Sequence, residues 1–155
     1  MLLVDGADRL LLFETLSDSD APELGTCWVA PGGGVRDGEP LAVAAARELR
    51  EETGLVVRPE SLGGVVAVTS GPAEFRWGGG MFRDDFFFYR VDEHRVDSSQ
   101  WEELEKNCIV RHHWWTVADL AASTETIYPM ELAPLLADLL AGWLPADPVE
   151  LPWHH

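Results

Sequence analysis

The stretch that decides the fold is Gly33–Leu55, which reads GGVRDGEPLAVAAARELREETGL. It opens on glycines that continue from Gly32, and Asp37-Gly38 supplies a second turn. From Pro40 to Thr53 the composition predicts a helix. Pro40 suits a first turn, where its missing N–H costs nothing. Ala42, Ala44, Ala45, Ala46 and Leu49 are strong helix formers. Gly54 is the expected C-terminal cap. On that helix Glu48 stands three residues before Glu51 and four before Glu52. Residues at those spacings share one face, so three carboxylates crowd together and repel. Arg47 and Arg50 beside them offset part of that repulsion, at a few tenths of a kcal/mol per pair.

A cluster of hard oxygen donors is what Mg²⁺ or Mn²⁺ takes. A glycine run upstream lets backbone approach a ligand closely and presents N–H and C=O groups to it. Glycine loop, helix and carboxylate face together suit a metal-bridged phosphate site. The plain alternative is a solvated acidic helix face, which would be favoured for a lone Glu-Glu pair. The full spacing reverses that preference. Five residues separate Gly33 from Glu39, and seven more lead to Arg47-Glu48-Leu49 and then Glu51-Glu52, Gly54 and Leu55. Chance agreement with so many fixed positions is on the order of 10⁻⁷ at average composition.

That spacing resembles the Nudix box, the signature of the Nudix hydrolases or MutT-like pyrophosphohydrolases, at every defined position. The lead-in Trp28-Val29-Ala30-Pro31-Gly32-Gly33 is similar to the family's as well. The resemblance implies an α/β fold, an α/β/α sandwich with a mixed β-sheet. It implies hydrolysis of the diphosphate linkage in a nucleoside diphosphate derivative, with Mg²⁺ or Mn²⁺ as cofactor. Carried over by position, Glu48, Glu51 and Glu52 would hold metal, with the Gly32 carbonyl as an added ligand. Arg47 would orient a ligating glutamate, Glu39 would fix the loop containing Gly33 against the helix, and Gly54 would allow the turn beyond. The general base would be a glutamate on the helix (Glu52 or Glu51) or one in a later loop, in the order Glu105, Glu103, Glu102.

The substrate would be a small nucleotide: a nucleoside triphosphate, oxidised or not, ADP-ribose, or a dinucleotide. Phe75, Arg76 and Trp77 are candidates to stack on a nucleobase. Pro72 lies near the place where ADP-ribose-hydrolysing relatives carry a proline. Arg9, Arg36, Arg76 and Arg83 are candidate phosphate contacts, each also readable as an ordinary surface arginine. A second reading is a Nudix-like domain that senses a nucleotide without cutting it. Such domains usually lose box glutamates, and this chain keeps all of them. Isomerase chemistry on an isoprenoid diphosphate would need a catalytic cysteine, and neither Cys27 nor Cys108 stands where it would help. A homodimer is expected by analogy alone.

Outside the box, Met1–Val4 and Leu10–Phe13 flank turn residues and predict a hairpin. A strand this close to Met1 means a short first strand or further residues upstream. Residues 15–26 predict a loop, Trp28–Ala30 a strand, Leu62–Ser70 and Phe86–Val91 two more, with a long loop over 71–84 between them. Asp84-Asp85 are read as opening the second of these strands rather than as metal-linked. Ile109–Thr116 predicts a strand on which His112 and His113 face opposite sides, so at least one should be buried or half-buried as a structural histidine. Leu132, Leu135, Leu136, Leu139, Leu140 and Trp143 form one helical stripe, read as core. Residues 144–155 contain three prolines and are expected to wrap the surface as a tail. His154-His155 alone are a poor metal site.

The chain has 155 residues, which fits a single domain over 1–155 with 144–155 as its tail. A formal net charge of −16 argues against an anionic membrane or a nucleic-acid backbone as partner. It still admits a phosphorylated small molecule when cations stand between. Two cysteines are too few for a disulfide framework and point to a reducing, cytoplasmic setting. The N-terminus does not read as a signal peptide, and no apolar run reaches membrane-spanning length.

Overall fold

A computed structural model describes all residues except 19, 76, 77, 100, 102–106, 154 and 155, and except the side chains of 74, 75 and 78. The strands are β1 (Leu2–Val4), β2 (Leu10–Leu16), β3 (Thr26–Val29), β4 (Val65–Phe75), β5 (Gly78–Arg90), β6 (Ile109–Trp115), β7 (Ile127–Tyr128) and β8 (Val149–Glu150). The helices are α1 (Leu41–Thr53), α2 (Val117–Ala122) and α3 (Leu132–Leu140). The strand order is β7-β3-β2-β1-β5-β4-β8, with β6 also pairing β2. β1–β5, β3–β7 and β4–β8 are parallel and the other pairings antiparallel, so the sheet is mixed, as expected.

Alternation along β1 and β2 divides the core in two, because successive side chains leave a strand on opposite faces. Leu3, Leu11 and Phe13 meet Ala46 and Leu49 of α1, with Leu62 and Phe87. Leu2, Val4, Leu10 and Leu12 meet Leu120 of α2 and the Leu132, Leu135, Leu136 and Leu139 stripe of α3. Helices therefore cover both faces, giving the α/β/α layering. It also explains why Leu2–Val4 and Leu10–Phe13 are unbroken apolar runs that do not alternate in polarity.

Four expectations need correction. Residues 71–75 and 78–84 are not a loop: β4 and β5 form one long antiparallel pair, running from Val65↔Phe87 to Phe75↔Gly78. Small residues there (Gly71, Ala73, Gly79, Gly80) hide the strand signal, since glycine is depleted in strands. The helical stripe stops early. The turn after Leu140 closes through Gly142 N–H to the Leu139 carbonyl and Trp143 N–H to the Asp138 carbonyl, each 3.0 Å, and leaves Trp143 49% exposed. The tail does more than wrap the surface. β8 joins the sheet beside β4, and Leu151 is buried in the α3-side core. Finally, His112 and His113 do face opposite sides, against Phe13 and against Trp28 and Trp115, yet both remain exposed.

Candidate active site

Helix α1 starts after Pro40 and ends at Gly54, whose left-handed φ of 75° turns the chain while its N–H bonds the Arg50 carbonyl. Along it, Glu48 and Glu52 are 9% and 7% exposed, and Glu51 is half-buried. Glu52 Oε2 accepts the Gly32 N–H at 2.7 Å. A Cβ on Gly33 would lie 2.6–2.8 Å from the Glu48 carboxyl atoms, so the backbone at 33 packs directly on that carboxylate. The two buried carboxylates, one turn apart, are thus fitted against the Gly32-Gly33 backbone.

Arg47 organises the remaining charge. Its Nη1 donates to Glu48 Oε1 at 2.6 Å and to Glu51 Oε2 at 3.1 Å. Its Nε and Nη2 hold Glu39 in a fork at 3.0 and 2.9 Å, and Nη2 also reaches the Gly34 carbonyl at 2.9 Å. This is the bidentate geometry that suits guanidinium. Glu39 also accepts the Arg36 N–H at 3.0 Å, and the Arg47 guanidinium is the main reason its carboxyl is held down to about 2. Glu39, more than any other neighbour, raises the pKa of Arg47 in turn.

The end of α1 is tied to the segment that follows β5. The Glu52 carbonyl accepts the Trp101 indole N–H at 2.7 Å. The Thr53 carbonyl accepts the Asp97 N–H at 2.9 Å and lies 2.8 Å from His94 Nε2. Trp101 also packs edge-on to Phe13.

Beside this helix runs a cleft of about 540 Å³, bounded by residues 29–35, the Leu41–Glu48 face of α1, Phe82–Phe87 of β5, and Tyr128-Pro129. Asp84 belongs to its far wall, where its Oδ2 accepts the hydroxyl of the fully buried Thr69 at 3.0 Å. The Met1 nitrogen is buried in the cleft and donates to the Pro31 carbonyl. Burial lowers its pKa to about 6, against the pull of Glu52, Asp84 and Glu48, all of which favour positive charge there.

Among the described residues, no three carboxylate, histidine or cysteine side chains converge as a ready ion-binding cluster. Like charges on one turn are instead spread onto the Arg47 guanidinium and the Gly32 N–H. The donor chemistry nevertheless fits a hard divalent cation: buried carboxylates, adjoining backbone, and a field that favours positive charge.

The NUDIX domain family model matches residues 1–138. The chain belongs to the NUDIX family. It is 42% identical over 55 residues to an RNA pyrophosphohydrolase of Novosphingobium aromaticivorans, a stretch covering 36% of this chain and 32% of the relative. That match therefore spans about a third of the relative's length. Among solved structures, the E. coli dihydroneopterin triphosphate pyrophosphohydrolase matches with a TM-score of 0.60 at 18% identity, covering 92% of this chain and 94% of that one. The NUDIX domain of Shewanella oneidensis NrtR, complexed with ADP ribose, also gives 0.60, at 16% identity, covering 89% and 83%. Likeness at those identities speaks to the fold.

In this NUDIX chain the structure gathers Gly32, Gly33, Glu39, Arg47, Glu48, Glu51 and Glu52 into one neighbourhood. Glu102, Glu103, Glu105, Arg76, Trp77 and His154-His155 lie outside the described residues, as does the side chain of Phe75 at the end of β4. Arg9 is paired with Asp5 at 2.6 Å and Arg83 with Asp85 at 2.7 Å; of the two, Arg83 reaches the cleft. Pro72 is part of β4, and its carbonyl accepts the Trp153 indole N–H. Asp84 does not open a strand: it sits within β5. Tyr128 and Pro129 carry no motif, and only the parallel pairing of β7 with β3 brings them to the cleft.

Proposed function

We propose that this chain hydrolyses the diphosphate linkage of a small nucleoside diphosphate derivative in a metal-dependent reaction. The observation that carries the reading is the buried Glu48–Glu52 pair set against the Gly32-Gly33 backbone at the edge of an open cleft. Glu48, Glu51, Glu52 and the Gly32 carbonyl would hold Mg²⁺ or Mn²⁺. When bound, such an ion neutralises phosphate oxygens and lowers the pKa of a water it carries. Arg47 keeps Glu48 and Glu51 from drifting apart, as groups behind metal ligands do. Glu52 is fixed through both its carboxylate and its carbonyl, which suits a group that must place a ligand or accept a proton.

The candidate bases are Glu52, Glu51 and Glu105. The relative's name, RNA pyrophosphohydrolase, supports cleavage of a pyrophosphate bond. The net charge of −16 favours a small nucleotide over an RNA chain. A neighbour's complex with ADP ribose supports the same size of substrate. We read residues 1–155 as one such domain, its tail included, at work in a reducing cytoplasm.

The test is a Mg²⁺/Mn²⁺ screen over nucleoside triphosphates, ADP-ribose and dinucleoside polyphosphates, reading released phosphate or pyrophosphate. Turnover with either ion on at least one of them, abolished by chelation, is expected. Nucleotide binding without release at any divalent ion would establish the sensing reading instead.

A further inference from the structure

The family match ends at residue 138, and the chain beyond it builds part of the surface next to the cleft. β8 pairs in parallel with β4, Leu151 N–H donates to the Val68 carbonyl at 2.8 Å, and Leu151 is buried. Two residues on, Trp153 lies across Gly71. Its indole N–H donates to the Pro72 carbonyl at 2.8 Å, and a Cβ on Gly71 would fall 2.2–2.6 Å from its ring. No side chain larger than hydrogen fits under that ring, so position 71 and Trp153 form a matched seat.

Seated there, Trp153 lines a second hollow of about 480 Å³ with Glu125, Thr126, Ile127, Tyr128 and Met130. Tyr128 lines this hollow and the main cleft alike, so the two adjoin at one residue. The hollow has two aromatic rings and a thioether, surfaces on which a flat heterocycle stacks. At its edge stands the Glu125 carboxylate, held by the Trp28 indole N–H. A fixed carboxylate accepts hydrogen bonds from an exocyclic amino group.

We propose that this hollow seats the nucleobase of the substrate, and that Trp153 is a specificity-determining residue contributed by the tail. This rests on the hydrolase reading for its kinetics but not for its binding test. Stacking on one aromatic side chain corresponds to roughly a tenfold or greater change in affinity.

The binding test uses metal-free, ¹⁵N-labelled protein. The Trp153 indole N–H signal, assigned by its loss in Trp153→Phe among the seven tryptophans, should shift on titration with AMP or GMP. It should stay in place with ribose 5-phosphate. No shift with either nucleotide, or an equal shift with ribose 5-phosphate, overturns the proposal. In turnover of whichever nucleotide the parent cleaves, Trp153→Ala should raise KM about tenfold with a much smaller change in kcat, and Trp153→Phe should recover most of the loss. Gly71→Ala should reproduce Trp153→Ala by displacing the ring, and adding it to Trp153→Ala should cost nothing more. An unchanged KM in Trp153→Ala, or additive effects of the two substitutions, overturns the seat. If the parent cleaves no nucleotide, the hydrolase reading fails, and the indole titration still decides the hollow.

Discussion

On one side of the cleft a single guanidinium gathers Glu39, Glu48, Glu51 and the Gly34 carbonyl. On the other side, β5 presents Phe82–Phe87 from a strand pair aligned by β4, and the tail closes β4's outer edge. The first wall is held by charge and hydrogen bonds among residues within twenty positions of one another. The second is held by strand register and aromatic packing between residues as far as 81 positions apart, as Pro72 and Trp153 are. Charge networks fix atoms to fractions of an ångström, but one deletion leaves a buried charge without its partner. Packed walls give way more gradually. Chemistry is expected on the first wall and choice of substrate on the second.

The sharpest way to break that contrast is Glu52→Gln, which keeps the shape and removes the charge. Hydrolysis should fall at least about 100-fold while the circular dichroism spectrum and melting curve stay near the parent's. Equal turnover would move the chemistry elsewhere. Next is Arg47→Ala, expected to lower kcat/KM by roughly 10- to 100-fold and stability by about 3 kcal/mol in urea titration. Arg47→Lys should recover only part of both, because an ammonium cannot fork onto Glu39.

A smaller effect is expected from Gly33→Ala, whose methyl must push the Glu48 carboxylate aside. Mn²⁺ affinity, read by paramagnetic relaxation, should weaken roughly tenfold with little change in melting temperature, since the displaced group is the end of a flexible side chain. The smallest concerns pH. Glu39 has its carboxyl depressed from 4.5 to about 2, so its stabilising contribution is complete above about 4.5 and disappears as pH falls toward 2. Glu39→Gln should flatten the acid limb of melting temperature against pH in that window and leave the neutral limb parallel to the parent's. An unchanged acid limb would detach Glu39 from the network.

The same contrast explains what could be read in advance. The glycine loop, the helix and the three glutamates are local: their spacing alone puts them on one face. The pairing of Arg47 with Glu39 follows from the same twenty residues. The α3 stripe was legible through Leu140 because its period is helical, and failed at Trp143, where Gly142 turns the chain out. The β4–β5 pair was not legible, because Gly71, Gly79 and Gly80 look like loop, and its order comes from cross-strand pairing that no local pattern encodes. α2 did leave a trace, Thr116 three residues ahead of Asp119, which forms a capping box in the structure. Asp84 reads from the sequence as a strand opening, and Tyr128 and Trp153 left no trace, because each reaches the cleft or its annex through sheet topology.

Among the described residues, Glu52 is gripped by the loop ahead of its helix at the carboxylate and by Trp101 at the main chain. Within the described residues, two separate stretches of chain hold it, and the helix acts as the rod between them. A change at Trp101 is expected to alter where the Glu52 carboxylate points with no atom of the carboxylate touched. Sequence variation just upstream of the acidic 102–105 segment is thereby expected to tune the proposed metal-binding end of the cleft from outside it.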